Sequence, residues 1–408
     1  MSALYEPRHS RPSSRRFRQV AGARGVPVPE LLALVLALAA PAPHAQQWEF
    51  QPTLNVQASY EDNITLDPDD PESGLGSSWR AAALARRSTE ARSLELYAGL
   101  SANEFVENSD LNNVTGLLGA DWSYQMPRSQ FRLSQSLTTQ STLTSEAATT
   151  GITDVNRQQY RFNIQPAWSY LLDPYSTLTL GGSYDDVFYE DVDDTGLTNY
   201  RSGSVSLNLG RRLSERLAVG LVASYGQFRP QGEDGDTENH SIQLSVDYQV
   251  SETFNVAALA GGRWTSAESI DATGRSTTKD TSGATYSLSA QKQFADGAAL
   301  SALAARELSA SGASEVLDTT RLQLGYSLPV TDRLSLGIAS SAYRNRQLGE
   351  EASGSSRDYA DAELGLSYKL RQSLSLVFDY SHRWQRSDDD SSSARSNRFG
   401  LSLAWRGL

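Results

Sequence analysis

Ser381 and His382 are the nearest this sequence comes to a nucleophile beside a general base. A serine hydrolase needs such a pair within hydrogen-bond reach, with a carboxylate orienting the imidazole. The segment around them alternates apolar and polar residues, which is the rhythm of a strand, and strand neighbours point to opposite faces. His382 shares the parity of Tyr380 and Trp384, whereas Ser381 shares that of Asp379 and Arg383. The pair therefore reads as a face-splitting Ser-His dipeptide; an enzyme acting on lipid is the alternative it keeps open. His240 is the other histidine outside the N-terminal leader, and the chain has no cysteine. Thiolate metal sites, disulfides and a Cys nucleophile are excluded.

Carboxylates are plentiful. They cluster at Asp67–Asp70, Glu190–Asp194, Glu233–Asp236 and Asp388–Asp390. Such density can hold Ca²⁺. Asp191-Val-Asp-Asp-Thr-Gly196 opens like an EF-hand loop, but Ser202 stands where the closing Glu belongs. Solvated loop acids are the plainer reading, and no metal or cofactor is assigned. No phosphate loop, dinucleotide fingerprint or His-rich zinc pattern occurs. The formal charge of −12 argues against nucleic acid as a partner.

A third set of residues has no catalytic spacing but one shared parity. It comprises Arg132, Arg161, Gln165, Gln243, Asp247, Arg321, Gln323, Asp361, Glu363, Lys369, Asp379, Arg383, Arg398 and Arg406. All lie on the polar side of alternating segments. Both signs recur on neighbouring segments, so Glu363 and Asp379 are expected near Arg321, Arg383 or Arg398. Such a face can be a ladder of wall ion pairs, a polar path for a hydrated solute, or both.

The elements that position these residues follow from period two. Trp48, Phe50, Pro52, Leu54, Val56, Ala58 and Tyr60 alternate with Gln51, Thr53, Asn55, Gln57 and Ser59. The same alternation returns at Tyr160–Tyr170, Ile242–Val250, Ala360–Leu370 and Leu374–Tyr380. Short connections fall at Arg87–Ala91, Met126–Arg128, Leu172–Tyr175, Arg212–Arg216, Val250–Thr253, Phe294–Gly297, Val330–Arg333 and Leu370–Gln372. Longer polar ones lie between them, among them Glu61–Ser78, Ser145–Asp154, Arg229–Asn239 and Ser266–Thr281. Eight short turns with the first and last strands give about 18 strands. Sixteen is the nearest alternative, because Ser78–Arg87 and Ala298–Leu308 are rich in small residues. An all-β transmembrane antiparallel barrel satisfies this pattern, with short periplasmic turns and long extracellular loops. Trp48, Tyr124, Trp168, Tyr175, Tyr248, Trp264, Tyr343 and Trp384 sit near strand ends, as an interfacial girdle requires. Only 39% of the residues are hydrophobic, too few for two conventional cores.

Residues 1–45 belong to a different text. Six Arg precede the apolar run Leu31–Ala40, and small residues close it at Pro41–Ala45, the order of a secretory signal peptide. Ten apolar residues are too few to span a bilayer as a helix, which takes about 20. Removing 1–45 takes away six Arg and two Glu, so the charge goes from −12 to −16. The expected organisation is a leader over 1–45 and one barrel over 46–408.

The opening of that barrel, Pro52-Thr-Leu-Asn-Val-Gln-Ala-Ser-Tyr-Glu-Asp-Asn-Ile-Thr-Leu66, resembles the first strand and loop of the beta-barrel porin 2 family, matching its Tyr-x-Asp-Asn-x-x-Leu segment at Tyr60, Asp62, Asn63 and Leu66. The C-terminal Phe399–Leu408 is similar to a barrel-assembly signal, though it ends in Leu rather than Phe or Trp. The resemblance implies a non-enzymatic, porin-like outer-membrane channel passing surface polysaccharide or small polar solutes. It also implies outer-membrane lipid and lipopolysaccharide, the barrel-assembly machinery and polysaccharide-export components as partners. A structural or adhesive barrel with a closed lumen, and an outer-membrane lipid-modifying enzyme, are the alternatives.

Overall fold

The computed structural model describes residues 48–150, 156–192, 195–231, 235–270, 276–348, 356–387 and 392–407. The leader, Leu408, the whole of the acidic cluster Asp388–Asp390 and parts of two of the other three lie outside them. The described chain is an antiparallel meander of 18 strands, each hydrogen-bonded to the next in sequence, from β1 (Glu49–Glu61) to β18 (Ser393–Arg406). β18 returns to β1 along a ladder from Thr53↔Arg406 to Glu61↔Arg398, so the sheet closes on itself. The small-residue segments are real strands, β2 (Gly74–Ser88) and β13 (Ala299–Ala310), which decides 18 over 16.

All eight short connections fall where the sequence places them, and several have a local cause. Asp173 Oδ1 accepts the N–H groups of Tyr175 and Ser176 at 2.8 and 2.9 Å between β6 (Gln158–Asp173) and β7 (Ser176–Tyr189). Ser214 and Thr331 hydroxyls accept backbone N–H groups in the same way before β9 (Leu217–Pro230) and β15 (Leu334–Gln347). Such side chains mimic a backbone turn. Gly297 holds φ +84° before β13, a conformation that costs glycine nothing.

The opposite end differs from expectation. β11 (Phe254–Ile270) and β12 (Ser276–Gln293) remain paired up to Ile270↔Ser276, across most of what reads as the loop Ser266–Thr281. Alternation fades there because both faces are polar, yet the backbone ladder persists. β2 and β10 (Thr237–Ser251) likewise begin earlier than Ser78 and Asn239.

Paired residues share a face of a sheet, and exposure follows parity. Leu244, Ile242 and Val246 on β10 are 67%, 52% and 41% exposed, and Leu401 on β18 is 52% exposed. Large apolar side chains thus cover the outside, and among the described residues no second layer lies over them. Tyr343 is the exception among the girdle candidates. Its hydroxyl accepts from Gln323 at 3.0 Å and its ring packs on Tyr359, so it belongs to the polar face. Aromatic type alone does not tell the face; parity with Ser341 and Asp361 does.

Leu244→Arg places a guanidinium on the apolar face at mid-strand and should cost about 2–4 kcal/mol. Gln243→Arg, one residue away on the other face, should cost less than about 1 kcal/mol by the same principle. Reversible urea unfolding of the protein in lipid vesicles separates the two.

Candidate functional site

The ladders carry the fourteen polar candidates onto one face. Arg132 pairs with Ala167, Gln165 with Ser134, and Arg161 with Thr138 and Val187. Gln243 and Asp247 pair with Gly261 and Ala257, and Arg321 and Gln323 with Ala305 and Leu303. Asp361 lies between Ser341 and Arg383, Glu363 beside Ser381, and Lys369 beside Ser375. Asp379 faces Gly400, Arg398 faces Glu61, and Arg406 faces Thr53. Passing from strand to strand never changes the parity.

Most of these side chains have partners, and several are not the ones expected. Arg383 pairs with Glu61 and Arg321 with Glu307, the latter at 3.1 Å. Asp379 accepts from Gln57 Nε2 at 2.7 Å, and the oxygen of that amide accepts from Arg398 at 3.1 Å. Gln57 and Asp379 lie directly over Gly400, where any side chain would collide with both. Asp361 accepts from the Ser341 hydroxyl, Arg161 donates to Asp185 at 2.7 Å, and Arg406 donates to Gln51 at 2.6 Å. Gln165 donates to Asn163, Gln243 to Ser241, and Asp247 accepts from Asn255 at 3.4 Å. Glu363, Arg383 and Arg398 line one recess of about 360 Å³ with Glu61, Tyr359 and Asp361. Arg132 lines a second recess with Asp121 and Gln165. Gln57 thus bridges Asp379 to Arg398 and Glu61 pairs with Arg383, so two inward residues of β1 stand between the acids and bases expected to meet.

The polar face is also the one that connecting segments touch. Between β5 (Ser129–Ser141) and β6, Ser141 caps a single helical turn, α1 (Thr142–Ser145), by accepting the Leu143 N–H. The chain then reaches strands far round the ring. Arg357 of β16 (Ser356–Arg371) donates to Ala147 O at 2.6 Å and Thr149 O at 3.2 Å, and Asn345 of β15 donates to Ala148 O at 2.7 Å. In a closed sheet such a segment can only cross the interior. Its anchor is Glu146, 2% exposed, which accepts from Tyr189 at 2.7 Å, Gln159 at 3.0 Å and the Thr149 and Thr150 hydroxyls at 2.8 Å. A buried carboxylate is tolerable only when its lone pairs are satisfied in this way.

Two more segments complete the roof. The β1–β2 connection folds so that Arg383 donates to Ile64 O and Gln385 to Leu66 O, with Leu66 at φ +54°. Ile64 packs there on Leu111 and Leu143. The tip between β13 and β14 (Val316–Pro329) offers Gly312 O to Thr198 N at 2.6 Å, while Ala310 and Val316 pack on Val187, Tyr189, Leu197, Tyr200 and Phe228. Carrying the parity of Asp361 to the strand end would have found Tyr359 and Arg357; nothing local marks Glu146 or Tyr189.

The candidates for reaction chemistry separate. Ser381 lines the inner recess, and His382 on the other face hydrogen-bonds Asn397 at 2.9 Å, beside Tyr380. His240 packs against the Tyr225 ring. Asp67 spends one carboxylate oxygen on the N–H groups of Asp69 and Asp70. Ser202, the closing position of the EF-hand-like stretch, lies within β8 (Tyr200–Arg212) opposite Phe228. Among the described residues no three acidic or histidine groups are placed to hold a metal ion.

No family model matches this chain, and no curated protein matches it. Solved structures that resemble it include Acinetobacter baumannii OccAB3, at 11% identity and TM-score 0.44, covering 88% of this chain and 99% of that one. Pseudomonas aeruginosa OpdK with vanillate is similar at 13% identity and TM-score 0.44, over 88% and 99% of the two chains. Pseudomonas aeruginosa OccK2 (OpdF) in complex with glucuronate gives 11%, 0.44, 88% and 98%.

Glu146→Ala strands the Tyr189 hydroxyl and the Gln159 amide, and each unsatisfied group costs about 1–3 kcal/mol. Backbone amides of Thr142–Thr149 should then exchange with solvent roughly 10- to 100-fold faster, while those of mid-strand β6 hold their protection. Hydrogen–deuterium exchange with peptide resolution measures both.

Proposed function

We propose that the protein is a porin-like channel of the outer membrane that passes small polar solutes. The observation that carries this reading is the opposition of the two faces. The outside presents large apolar side chains with none of the described residues packed over them, and the inside presents hydrogen-bonding groups of both signs. A bilayer supplies the apolar phase the outer face lacks, and only a closed sheet satisfies its backbone there. Inner groups can take the place of a solute's hydration shell as it moves.

Between the two solutes implied by the sequence, the roof favours the smaller. The segment Thr142–Thr150 crosses the interior and is fixed at both ends, by Glu146 on one side and Arg357 on the other. A polymer strand would need that crossing withdrawn, whereas a small solute would need only a gap beside it. Toward the short turns a wider recess of about 710 Å³ lies along Gln249, Asn255, Gln291, Ser301, Ser327 and Glu363. The same roof favours the closed structural barrel if no gap conducts.

Purified protein in planar bilayers should give discrete current steps, and Glu146→Ala should raise the unitary conductance about twofold or more. Current absent from both proteins selects the closed barrel. Accessibility supplies an independent check, helped by a chain without native thiols. A water-soluble thiol reagent should label Asp361→Cys, Glu363→Cys, Asp379→Cys and Arg398→Cys in vesicles. Leu364→Cys, Leu366→Cys, Leu376→Cys and Phe378→Cys should stay protected, and the opposite parity would overturn the inside–outside assignment.

A further inference from the structure

The wall is not continuous between β12 and β13. Their ladder runs from Gln293↔Ala299 to Tyr286↔Arg306 and stops. Beyond that point β12 runs on to Ser276 against β11 alone, and β13 runs on to Ala310 against β14 alone. The Thr285 hydroxyl donates to Arg306 O at 3.0 Å where the ladder ends. The two sides part because the tip of the β13–β14 hairpin turns inward, onto the cluster around Tyr189. What remains is a seam.

A cluster of charge stands in that seam. Arg263 has inner parity, paired with Ser241 and Gly283, and its guanidinium lies over Gly283. Arg306 and Asp318 have the parity of Leu308 and Leu322, the outer one. Asp318 nevertheless accepts from Arg263 Nη2 at 2.6 Å and from Arg306 Nη2 and Nε at 2.7 and 3.1 Å. One carboxylate thus joins a guanidinium from β11 to one from β13, across the break in the ladder. Arg263 is 5% exposed, and its Nη1 has no hydrogen-bond partner, so the cluster fills the opening without being fully satisfied.

The seam also has a depth. Outward-facing Trp264, 52% exposed, pairs with Ser282, whereas the ladder stops at Tyr286, level with Ala260. That difference is four residues, roughly 13 Å along a strand. If Trp264 sits at the headgroups, the lower part of the seam opens among the acyl chains of the outer leaflet.

We propose that this seam is a lateral portal between the lumen and the outer leaflet, admitting apolar or amphiphilic molecules and held shut by Asp318 between Arg263 and Arg306. The proposal rests on the membrane-channel reading above. Its test places Thr281→Cys on the inner face beside the seam and, separately, Ser136→Cys on β5, in protein reconstituted into vesicles. Each is labelled with a membrane-partitioned alkyl maleimide and with a water-soluble sulfonated one. Adding Asp318→Asn should speed alkyl-maleimide labelling of Thr281→Cys tenfold or more and leave Ser136→Cys unchanged. Asp318→Glu should keep the slow rate. Folding is followed by the mobility of the unheated barrel on a gel, and Arg306→Gln replaces Asp318→Asn if the latter does not fold. Equal rates with and without the latch overturn the portal, as does failure of both variants to fold, since a latch that opens cannot be essential to the wall. If the sulfonated reagent reaches neither cysteine in the parent protein, the channel reading itself falls, a result distinct from loss of the portal alone.

Discussion

Every other feature of this structure depends on closure of the backbone hydrogen-bond ladder. A strand at the edge of a sheet exposes a row of N–H and C=O groups, and away from water each costs several kcal/mol. The pairing of β1 with β18 removes the two edges that an open meander would keep. Closure also fixes parity once for the whole ring, because a shift of one residue on any strand would turn its entire set of side chains through the wall. Arg383 and Arg398 face inward for the same reason that Leu401 and Phe399 face outward.

Closure also relocates the apolar core. A soluble domain buries its large side chains between layers; here Leu244, Leu288 and Leu401 point away from the protein. The large apolar residues that are buried, such as Val187, Tyr189 and Phe228 on the wall and Ile64 and Leu143 on the roof, gather where the two meet at the long-loop end. A hydrophobic content of 39% is too low for a core of ordinary size, yet it is enough for one outer coat and a small roof. The interior between them is held by side-chain hydrogen bonds such as Gln57 to Asp379.

Much of this was legible in the sequence, and the rest was not, for a physical reason. Alternation and turn chemistry are local signals, so Asp173, Ser214 and Gly297 mark their turns and Leu374–Tyr380 marks its faces. Where both faces of a strand leave the apolar phase the alternation fades, and the ladder of Thr277–Lys279 with β11 becomes invisible. The roof is worse placed still. Arg357 meets Ala147, and Tyr189 meets Glu146, through contacts that no periodicity announces. The segment Tyr60–Leu66 shows the same division. Its strand half is readable, while the inward turn of Asn63–Leu66 is tied to the wall by Arg383 and Gln385, which donate to its carbonyl groups from far along the chain.

Wall and roof therefore differ in how they can move. Outside the β12–β13 seam the wall strands are fixed by ladders to both neighbours, so one gives way only by breaking many hydrogen bonds together. The roof segments are fixed by a few side chains borrowed from the wall, chiefly Arg357, Asn345, Gln159 and Tyr189. Losing those contacts frees the segment and leaves the ladders intact, whereas losing the ladders removes the partners of the roof. Stability is thus hierarchical, with the roof as the unit of lower opening free energy. Glu146 sharpens the difference, since a buried carboxylate satisfied by four donors is secure while they all remain and costly once one leaves. A roof held by so few groups can lift without unfolding the barrel beneath it.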